Sequence, residues 1–448
     1  MSRTNIERSL RITAAVILMG AAGVSAFLSL PLSAIGQQPP PGPPVISHDQ
    51  MRALSTTIGG ARVLPTTRTV PHWFGSTFDP NNGVTYGYNM VGADPNNCSG
   101  AGCDATVTVD IIPLDVVVEG ESFNGSDVVN ATLASPLFAL NNYGSTPFGT
   151  GTSFIPPVFY VRAPGGVLSQ NDAGNQLQLL DATMRAQFNQ TSSSSYHLRL
   201  NPVVHDAITI VVPNGRGIVI EGPGANGVYF GDVNIQWWTT RIQNLNDSLG
   251  YIDPTHLAVY LTKDILLFSG ENPFNCCVFG FHGASDALHG NGNQAVQTFA
   301  WATYFSPGLV AAPNGGPGWA LQDINGPSHE ISEWADDPFI NNFVEPWATA
   351  TAPQYGCANL LETGDPVVGF GFAMGTNIYF QGPNPNGTQS ADGYYHPEDE
   401  VFLPWFMRLA PNNVSEPTQS PSVNIGRYSL MGDLNLFPGF RQPATGCN

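Results

Sequence analysis

Glycine and proline occur too often in this chain for it to fold as a bundle of long helices. They number 49 and 38 of the 448 residues, together about 19%, where globular proteins average about 12%. Hydrophobic residues make up 42% of the chain, enough for a buried core and too many for a disordered chain. These counts exclude helical bundles, coiled coils and helical solenoids, and they favour strands joined by turns.

The chain is also strongly acidic. It carries 34 Asp and Glu against 15 Lys and Arg, a formal net charge of −19. Phosphate backbones repel such a chain, so we expect no nucleic-acid partner. Adhesion to anionic membrane surfaces is disfavoured for the same reason.

Residues 1–36 have the pattern of a secretory signal peptide. Three arginines precede an apolar run over 12–30, and small residues suited to cleavage follow. The alternative is an uncleaved membrane anchor, because the run approaches the length that spans a bilayer. A proline-rich spacer follows at 37–45. We therefore expect a secreted, periplasmic or cell-surface protein with no membrane contact beyond the signal segment.

Cysteine usage fits an exported chain. The six cysteines are Cys98, Cys103, Cys276, Cys277, Cys357 and Cys447. An even number outside the cytosol predicts disulfides, with free buried thiols as the alternative. We expect the first two to close a small loop. Adjacent cysteines seldom pair with each other, so Cys276 and Cys277 are each expected to take one of the last two, in an order that stays open.

Hydrophobic periodicity predicts mixed secondary structure. Strands are predicted at 106–112, 114–118, 208–212, 217–220, 256–262 and 296–304. Helices are predicted over 176–189 and 232–249, and a third begins near Asp323 or Ser328 and stops before Pro338. The expected fold is α+β, a mixed β-sheet with a few helices. We divide the globular unit into a β-rich N-terminal part, 46–255, and a C-terminal part, 256–448, that carries the third helix.

The third helix carries the strongest chemical signal, an H-E-x-x-E motif. On a helix, positions i and i+4 share a face, so His329 and Glu333 can reach one metal ion. Glu330 projects beside them, where a general base would activate water. The motif is the H-E-x-x-H of zinc peptidases with Glu in place of the second His. Ser328 is the predicted N-cap. The alternative is a solvated acidic helix start.

A metal site of this class needs a third protein ligand. Glu362 is the preferred candidate, and Asp365 is a supporting partner behind the ligands. Asp336 competes because it lies on the same helix face as His329, although three ligands from one helix would crowd the ion. His282 has small neighbours and is a candidate transition-state donor or extra ligand.

Several stretches resemble a group of secreted, largely uncharacterised bacterial proteins that are classed as metallopeptidase-like. They are S-H-E-I-S-E-W-A-D-D-P-F at 328–339, C-A-N-L-L-E-T-G-D-P at 357–366, G-F-H at 280–282 and the aromatic stretch 395–406. More distantly, their order is similar to that in plant phosphate-induced (EXORDIUM-like) proteins. The resemblance covers mainly 275–435. It implies a zincin-like site with His329, Glu333 and Glu362 as ligands and Glu330 as base.

The sequence thus predicts an exported, zincin-like metal-dependent hydrolase that acts on a peptide or an extracellular polymer. Zn²⁺ is the expected ion, with Mn²⁺ or Ca²⁺ as alternatives, because Glu in place of His makes the ligand set harder. Two other functions stay open. One is a non-catalytic extracellular binding module with a calcium-type or unoccupied site, and the other is a glycosidase with paired carboxylates. The oligomeric state is left open.

Overall fold

The structure is a computed structural model, and the residues it describes fall into several ranges. They are 67–97, 103–142, 162–163, 166–167, 176–188, 196–222, 228–286, 295–307, 309, 323–348, 357–368, 371–372, 374–379, 381–383, 390–392, 394–410, 412–415 and 424–430. The expected signal peptide at 1–36, the spacer at 37–45, and Cys98 and Cys447 lie outside these residues.

Strands dominate the described residues. They are β1 (His72–Asp79), β2 (Val84–Val91), β3 (Asp104–Val118), β4 (Glu121–Asn124), β5 (Asn141–Asn142), β6 (Arg162–Ala163), β7 (Gly166–Val167), β8 (Gln176–Leu177), β9 (His197–Val204), β10 (Ile208–Val211), β11 (Gly217–Glu221), β12 (Tyr229–Asn234), β13 (Leu257–Lys263), β14 (Ile265–Phe268), β15 (Cys276–Val278), β16 (Gly280–Asp286), β17 (Val296–Tyr304), β18 (Phe343–Trp347), β19 (Ala358–Leu360), β20 (Gln381–Pro383), β21 (Ser390–Asp392), β22 (Asn412–Ser415) and β23 (Asn424–Arg427). The helices are α1 (Val129–Ala134), α2 (Leu179–Gln187), α3 (Ile235–Ser248), α4 (Asn325–Asp336) and α5 (Leu403–Phe406). This content confirms the α+β fold class.

The main sheet is built around β3. Its strand order is β10-β3-β13-β17-β16, and β9 and β4 also pair with β3. β9, β10 and β13 run parallel to β3, while β16 runs antiparallel to β17 at the edge. The sheet joins strands from both sides of residue 255. A second sheet has the order β11-β12-β14-β15.

One strand was predicted wrongly as two. The sequence predicted separate strands at 106–112 and 114–118, but β3 is continuous through Pro113, which lies opposite Leu261 of β13. Proline lacks the N–H of a sheet ladder, which suggested a break, yet its fixed φ is compatible with an extended chain. β10, β11, β13 and β17 confirm the other predicted strands within a residue or two.

Both faces of the main sheet are covered. Every residue of β17 is buried, as is typical of strands packed between two layers. On one face, Trp301 and Tyr260 pack with Trp238 of α3. On the opposite face, the core includes Trp334 of α4 and neighbouring strand residues. α4 therefore lies against the sheet, opposite α3.

Two of the predicted helices begin later than expected. Residues 176–177 form β8 and 232–234 belong to β12, so α2 starts at Leu179 and α3 at Ile235. The side chain of Asn234 accepts a hydrogen bond from Trp237 N and caps α3. The predicted helices included the last residues of the preceding strands, because a short apolar run fits a helical and an extended period equally well.

α4 begins at Asn325, close to the first of the two predicted starts, but its N-cap was predicted wrongly. Ser328 is not the N-cap; it lies inside the helix, and its hydroxyl donates to Asn325 O at 2.8 Å. The helix ends at Asp336, two residues before Pro338. This end is expected, because the residue directly before a proline disfavours the helical conformation. All twelve residues of α4 are buried, so the alternative of a solvated acidic helix start is wrong as well.

The adjacent cysteines lie side by side in the structure, and the separate partners expected for them stay a prediction. The structure brings the sulfur atoms of Cys276 and Cys277 together across a cis peptide bond, whereas the sequence predicted a separate partner for each. Peptide mapping of the unreduced protein by mass spectrometry distinguishes the two arrangements. Among the described residues, no helix is both long and apolar enough to cross a bilayer.

Candidate metal centre

Four segments bring acidic and histidine side chains together beside the main sheet. α4 packs on β16 and β17, which places its motif next to His282 of β16. The loop after β19 contributes Glu362 and Asp365, and a later segment contributes Glu398. Val401 N donates to Thr363 O at 2.9 Å and joins the last two segments. The centre is thus assembled from residues far apart in the chain.

A first group of ligand atoms forms around His329. Its Nε2 lies 3.1 Å from Glu333 Oε2, one helical turn away, and 3.7 Å from Asp365 Oδ1. The three residues are buried, and their ligand atoms lie within 4.8 Å of one another. The shared helix face predicted for His329 and Glu333 is therefore present in the structure.

Glu398 fixes the orientation of His329. Its Oε2 lies 3.0 Å from His329 Nδ1, and its backbone N donates to Ser328 Oγ at 2.8 Å. A histidine that donates Nδ1–H to a carboxylate presents the lone pair of Nε2 on its other side, as in carboxylate–histidine–metal arrangements. Sequence reasoning missed Glu398, although three consecutive acidic residues at 398–400 before an apolar stretch indicate buried carboxylates.

Backbone amides hold Glu333 in place. Gly364 N and Asp365 N donate to its Oε1 at 3.1 and 3.2 Å. Oε2 is thereby left to face His329. Gly364 also lies against that ring, because a Cβ added there would come 2.5 Å from His329 Nδ1. This loop therefore needs glycine for packing rather than for an unusual φ.

A second group of ligand atoms forms around His282. Its Nδ1 lies 3.4 Å from Glu330 Oε2 and 3.7 Å from Glu333 Oε2. Its Nε2 lies 3.2 Å from the backbone carbonyl oxygen of Asp337. These three residues are also buried, with their ligand atoms within 4.8 Å of one another. Glu333 belongs to both groups.

The structure changes the relative places of the remaining sequence candidates. Asp365, expected behind the ligands, offers its carboxylate to the first group. Glu362, the preferred third ligand, instead lies with Oε2 3.7 Å from His282 Nε2. Its side chain is 14% exposed, more than those of the residues it faces. Asp336 accepts a hydrogen bond from Gln187 of α2 at 2.6 Å and so is held toward that helix.

Burial and mutual repulsion shift the ionisation of these groups. Burial raises the pKa of Glu330, and burial together with Glu333 raises the pKa of Glu362 well above its usual value. Burial would raise the pKa of Glu333 too, but neighbouring His329 lowers it. Burial lowers the pKa of His329, yet Glu333 and Glu398 outweigh it and leave that pKa well above the usual value. When no metal ion adds positive charge, His329, Glu330 and Glu362 therefore keep their protons to higher pH than the same groups do in water.

The described residues therefore contain buried His, Glu and Asp groups that can hold a metal ion. Burying carboxylates is costly unless they are paired or coordinate a cation. Comparison of the chain with protein-family models, with curated proteins and with solved structures found no match.

Proposed function

We propose that the protein is a metal-dependent hydrolase of the metallopeptidase type. The observation that carries this proposal is the first group, His329, Glu333 and Asp365, because a histidine nitrogen and two carboxylates converge there from two elements. Ligand atoms bound to one ion at about 2.1 Å lie about 3.0 Å apart at an octahedral angle and about 3.4 Å apart at a tetrahedral one. The separation of 3.1 Å between His329 Nε2 and Glu333 lies in that range, and the separation of 3.7 Å between His329 Nε2 and Asp365 exceeds it by only about 0.3 Å.

Glu330 is the proposed general base. Its Oε1 faces the first group, 4.0 Å from His329 Nε2. A bound divalent ion would make a water more acidic and polarise a substrate carbonyl. Glu330 would accept the proton of that water, and its raised pKa makes it a stronger base than an exposed carboxylate. Gly280 allows this position, because a Cβ there would overlap the Glu330 carboxylate.

Zn²⁺ is the proposed ion, with Mn²⁺ and Ca²⁺ as the alternatives. One imidazole with two carboxylates is a harder donor set than that of the two-histidine zinc peptidases, and carboxylates favour Mn²⁺ and Ca²⁺. Glu362 is the most exposed of the site's carboxylates named above, and we propose that the substrate enters on its side.

The proposed substrate is a peptide or another extracellular polymer, and the proposed location is outside the cytosol. The signal-like pattern of residues 1–36 and the chain's acidity support this location. The acidity also supports the proposal that neither nucleic acid nor an anionic membrane surface is a partner.

The test combines metal analysis with hydrolysis. The protein, purified without a histidine tag, is analysed by ICP-MS and assayed on a quenched-fluorescence peptide library. We expect at least one equivalent of Zn or Mn, and hydrolysis that is lost in EDTA and restored by the metal. Glu330→Gln should keep the ion held by His329 and lose hydrolysis. A metal-free protein, or hydrolysis that survives chelation, would contradict the proposal.

A second candidate is a non-catalytic module with a structural ion. The observation that favours it is burial, since the side chains of the first group are at most 8% exposed and structural metal sites are closed. This candidate predicts that Ca²⁺ or Zn²⁺ raises the melting temperature while Glu330→Gln changes no measured property. Loss of an activity in folded Glu330→Gln would exclude it.

A further inference from the structure

The second group of ligand atoms, around His282, is not used by a single ion at His329. His282, Glu330 and Glu333 bring one nitrogen and two carboxylates together, and all three are buried. The separations of 3.4 and 3.7 Å from His282 Nδ1 lie close to those around His329 Nε2. The second group is thus as well formed as the first.

One ion cannot occupy both groups. Among the described residues, no set of ligand atoms within 4.8 Å of one another contains both histidines. Two atoms bound to the same ion at about 2.1 Å are at most about 4.2 Å apart. Glu333 Oε2 is the atom that lies near both, 3.1 Å from His329 Nε2 and 3.7 Å from His282 Nδ1.

An unpaired buried oxygen points into the second group. In the described part of the chain, Glu330 Oε2 has no hydrogen-bond partner, although its side chain is only 4% exposed. His282 Nε2 is placed to donate to the carbonyl oxygen of Asp337, which leaves the Nδ1 lone pair facing that carboxylate oxygen. Two acceptor atoms at 3.4 Å repel unless positive charge lies between them. The arrangement therefore calls for positive charge between these atoms, which a bound cation or a proton on Nδ1 would supply.

The charge count favours two ions rather than one. Glu330, Glu333, Glu362, Asp365 and Glu398 give the centre five carboxylates, and both histidines can bind as neutral ligands. One divalent ion would leave three buried negative charges uncompensated, and two divalent ions would leave one. Uncompensated buried charge destabilises the folded protein, so the count favours the second ion.

We propose that the centre binds two divalent cations bridged by Glu333, the second held by His282 Nδ1, Glu330 Oε2 and Glu333 Oε2. This inference rests on the proposed function and extends it from one ion to two. Two ions bound to one carboxylate oxygen at about 2.1 Å lie no more than about 4.2 Å apart, compatible with the 3.5–4 Å of two-metal hydrolases. Glu330 Oε1 still faces the first ion as the proton acceptor.

The test is Mn²⁺ stoichiometry combined with electron paramagnetic resonance. We expect the full chain, saturated with Mn²⁺ and desalted, to keep two equivalents and to show the narrowed hyperfine pattern of an exchange-coupled pair. His282→Ala should keep one equivalent with the spectrum of isolated Mn²⁺. Glu330→Gln, which preserves the size of the side chain, should lower the affinity for the second ion at least tenfold and give the spectrum of uncoupled Mn²⁺.

The controls separate this proposal from the first one. His205→Ala alters a histidine that pairs with Asp110 outside both groups and should keep two coupled ions; circular dichroism checks that each variant is folded. One uncoupled equivalent in the wild-type chain would overturn the second ion and leave the proposed function standing. No bound Mn²⁺ or Zn²⁺ would overturn both. Two coupled ions in folded His282→Ala would overturn the assigned ligands.

Discussion

The carboxylate of Glu398 lies 3.0 Å from Nδ1 of His329, while Glu333 lies 3.1 Å from Nε2 of the same ring. The imidazole is therefore held between two carboxylates, one on each side. Because Glu398 is fully buried and tied through its backbone to Ser328, it sets the direction in which Nε2 points.

Weakening this support should weaken metal binding without removing a ligand. In Glu398→Gln, the affinity for Zn²⁺ or Mn²⁺ should fall about 10- to 100-fold, the usual cost of losing a carboxylate behind a metal-bound histidine. Competition against a fluorescent chelator measures this affinity. Glu271→Gln changes an exposed carboxylate and serves as the matched control. Equal affinity in the two variants would show that Glu398 does not orient the ring.

Removing the shared ligand should have the largest effect on metal content. Glu333→Ala deletes the carboxylate that both groups share, so we expect no bound metal by ICP-MS after desalting. The variant should remain folded by circular dichroism, because its removal also relieves the crowding of buried carboxylates around it. Full occupancy in this variant would contradict the assignment of both groups.

Gly364→Ala should disturb the centre from outside the ligand set. The added Cβ would come 2.5 Å from His329 Nδ1, so the ring must shift and its contact with Glu398 must lengthen. We expect weaker metal binding and a loss of about 1–3 kcal/mol of stability, the usual cost of overpacking. Gly250→Ala, where a Cβ meets nothing within 4 Å, is the matched control. Similar metal titrations of the two variants would contradict this packing argument.

A buried carboxyl outside the centre should make stability depend on pH. Burial raises the pKa of Asp232 from 3.8 to about 8, and neither of its oxygens has a hydrogen-bond partner among the described residues. Between these values the unfolded chain ionises at this position while the folded chain stays protonated. Folding stability is therefore lost as pH rises, by at most about 1.4 kcal/mol per pH unit, and levels off above pH 8.

The variant Asp232→Asn should remove this dependence. Its stability relative to wild type should increase from about pH 4 to about pH 8 and then stay constant. Urea denaturation at a series of pH values measures the difference, with Glu271→Gln as an exposed control. A difference that does not change with pH would mean that Asp232 ionises equally in both states.

Local periodicity accounts for the part of the centre that could be predicted. The shared face of His329 and Glu333 follows from the pitch of a helix, and no distant residue is needed to infer it. The N-cap was predicted wrongly because Ser328 has a high capping preference. The helix instead begins before Gly326 and Pro327, where glycine permits close approach to Thr303 O of β17.

The parts of the centre that could not be predicted depend on the path of the loops, which the sequence pattern does not reveal. Glu362 and Asp365 lie three residues apart, and only the path after β19 decides which of them faces His329. Glu398 lies 69 positions from His329, and no local pattern links the two. Likewise, β3 could be recognised as extended, but its four partner strands could not be assigned from alternation alone.

The pairing of β3 also determines when the chain can complete its fold. Its parallel partners lie far along the sequence, β9 and β10 about 90 residues later and β13 about 150 residues later. Closing such long loops before any contact forms makes folding slow, and it leaves sheet edges open to aggregation meanwhile. His282, α4, Asp365 and Glu398 all follow β13, so they come together only after synthesis has passed the central strands. Competence to bind metal should therefore be among the last properties that a newly made chain acquires.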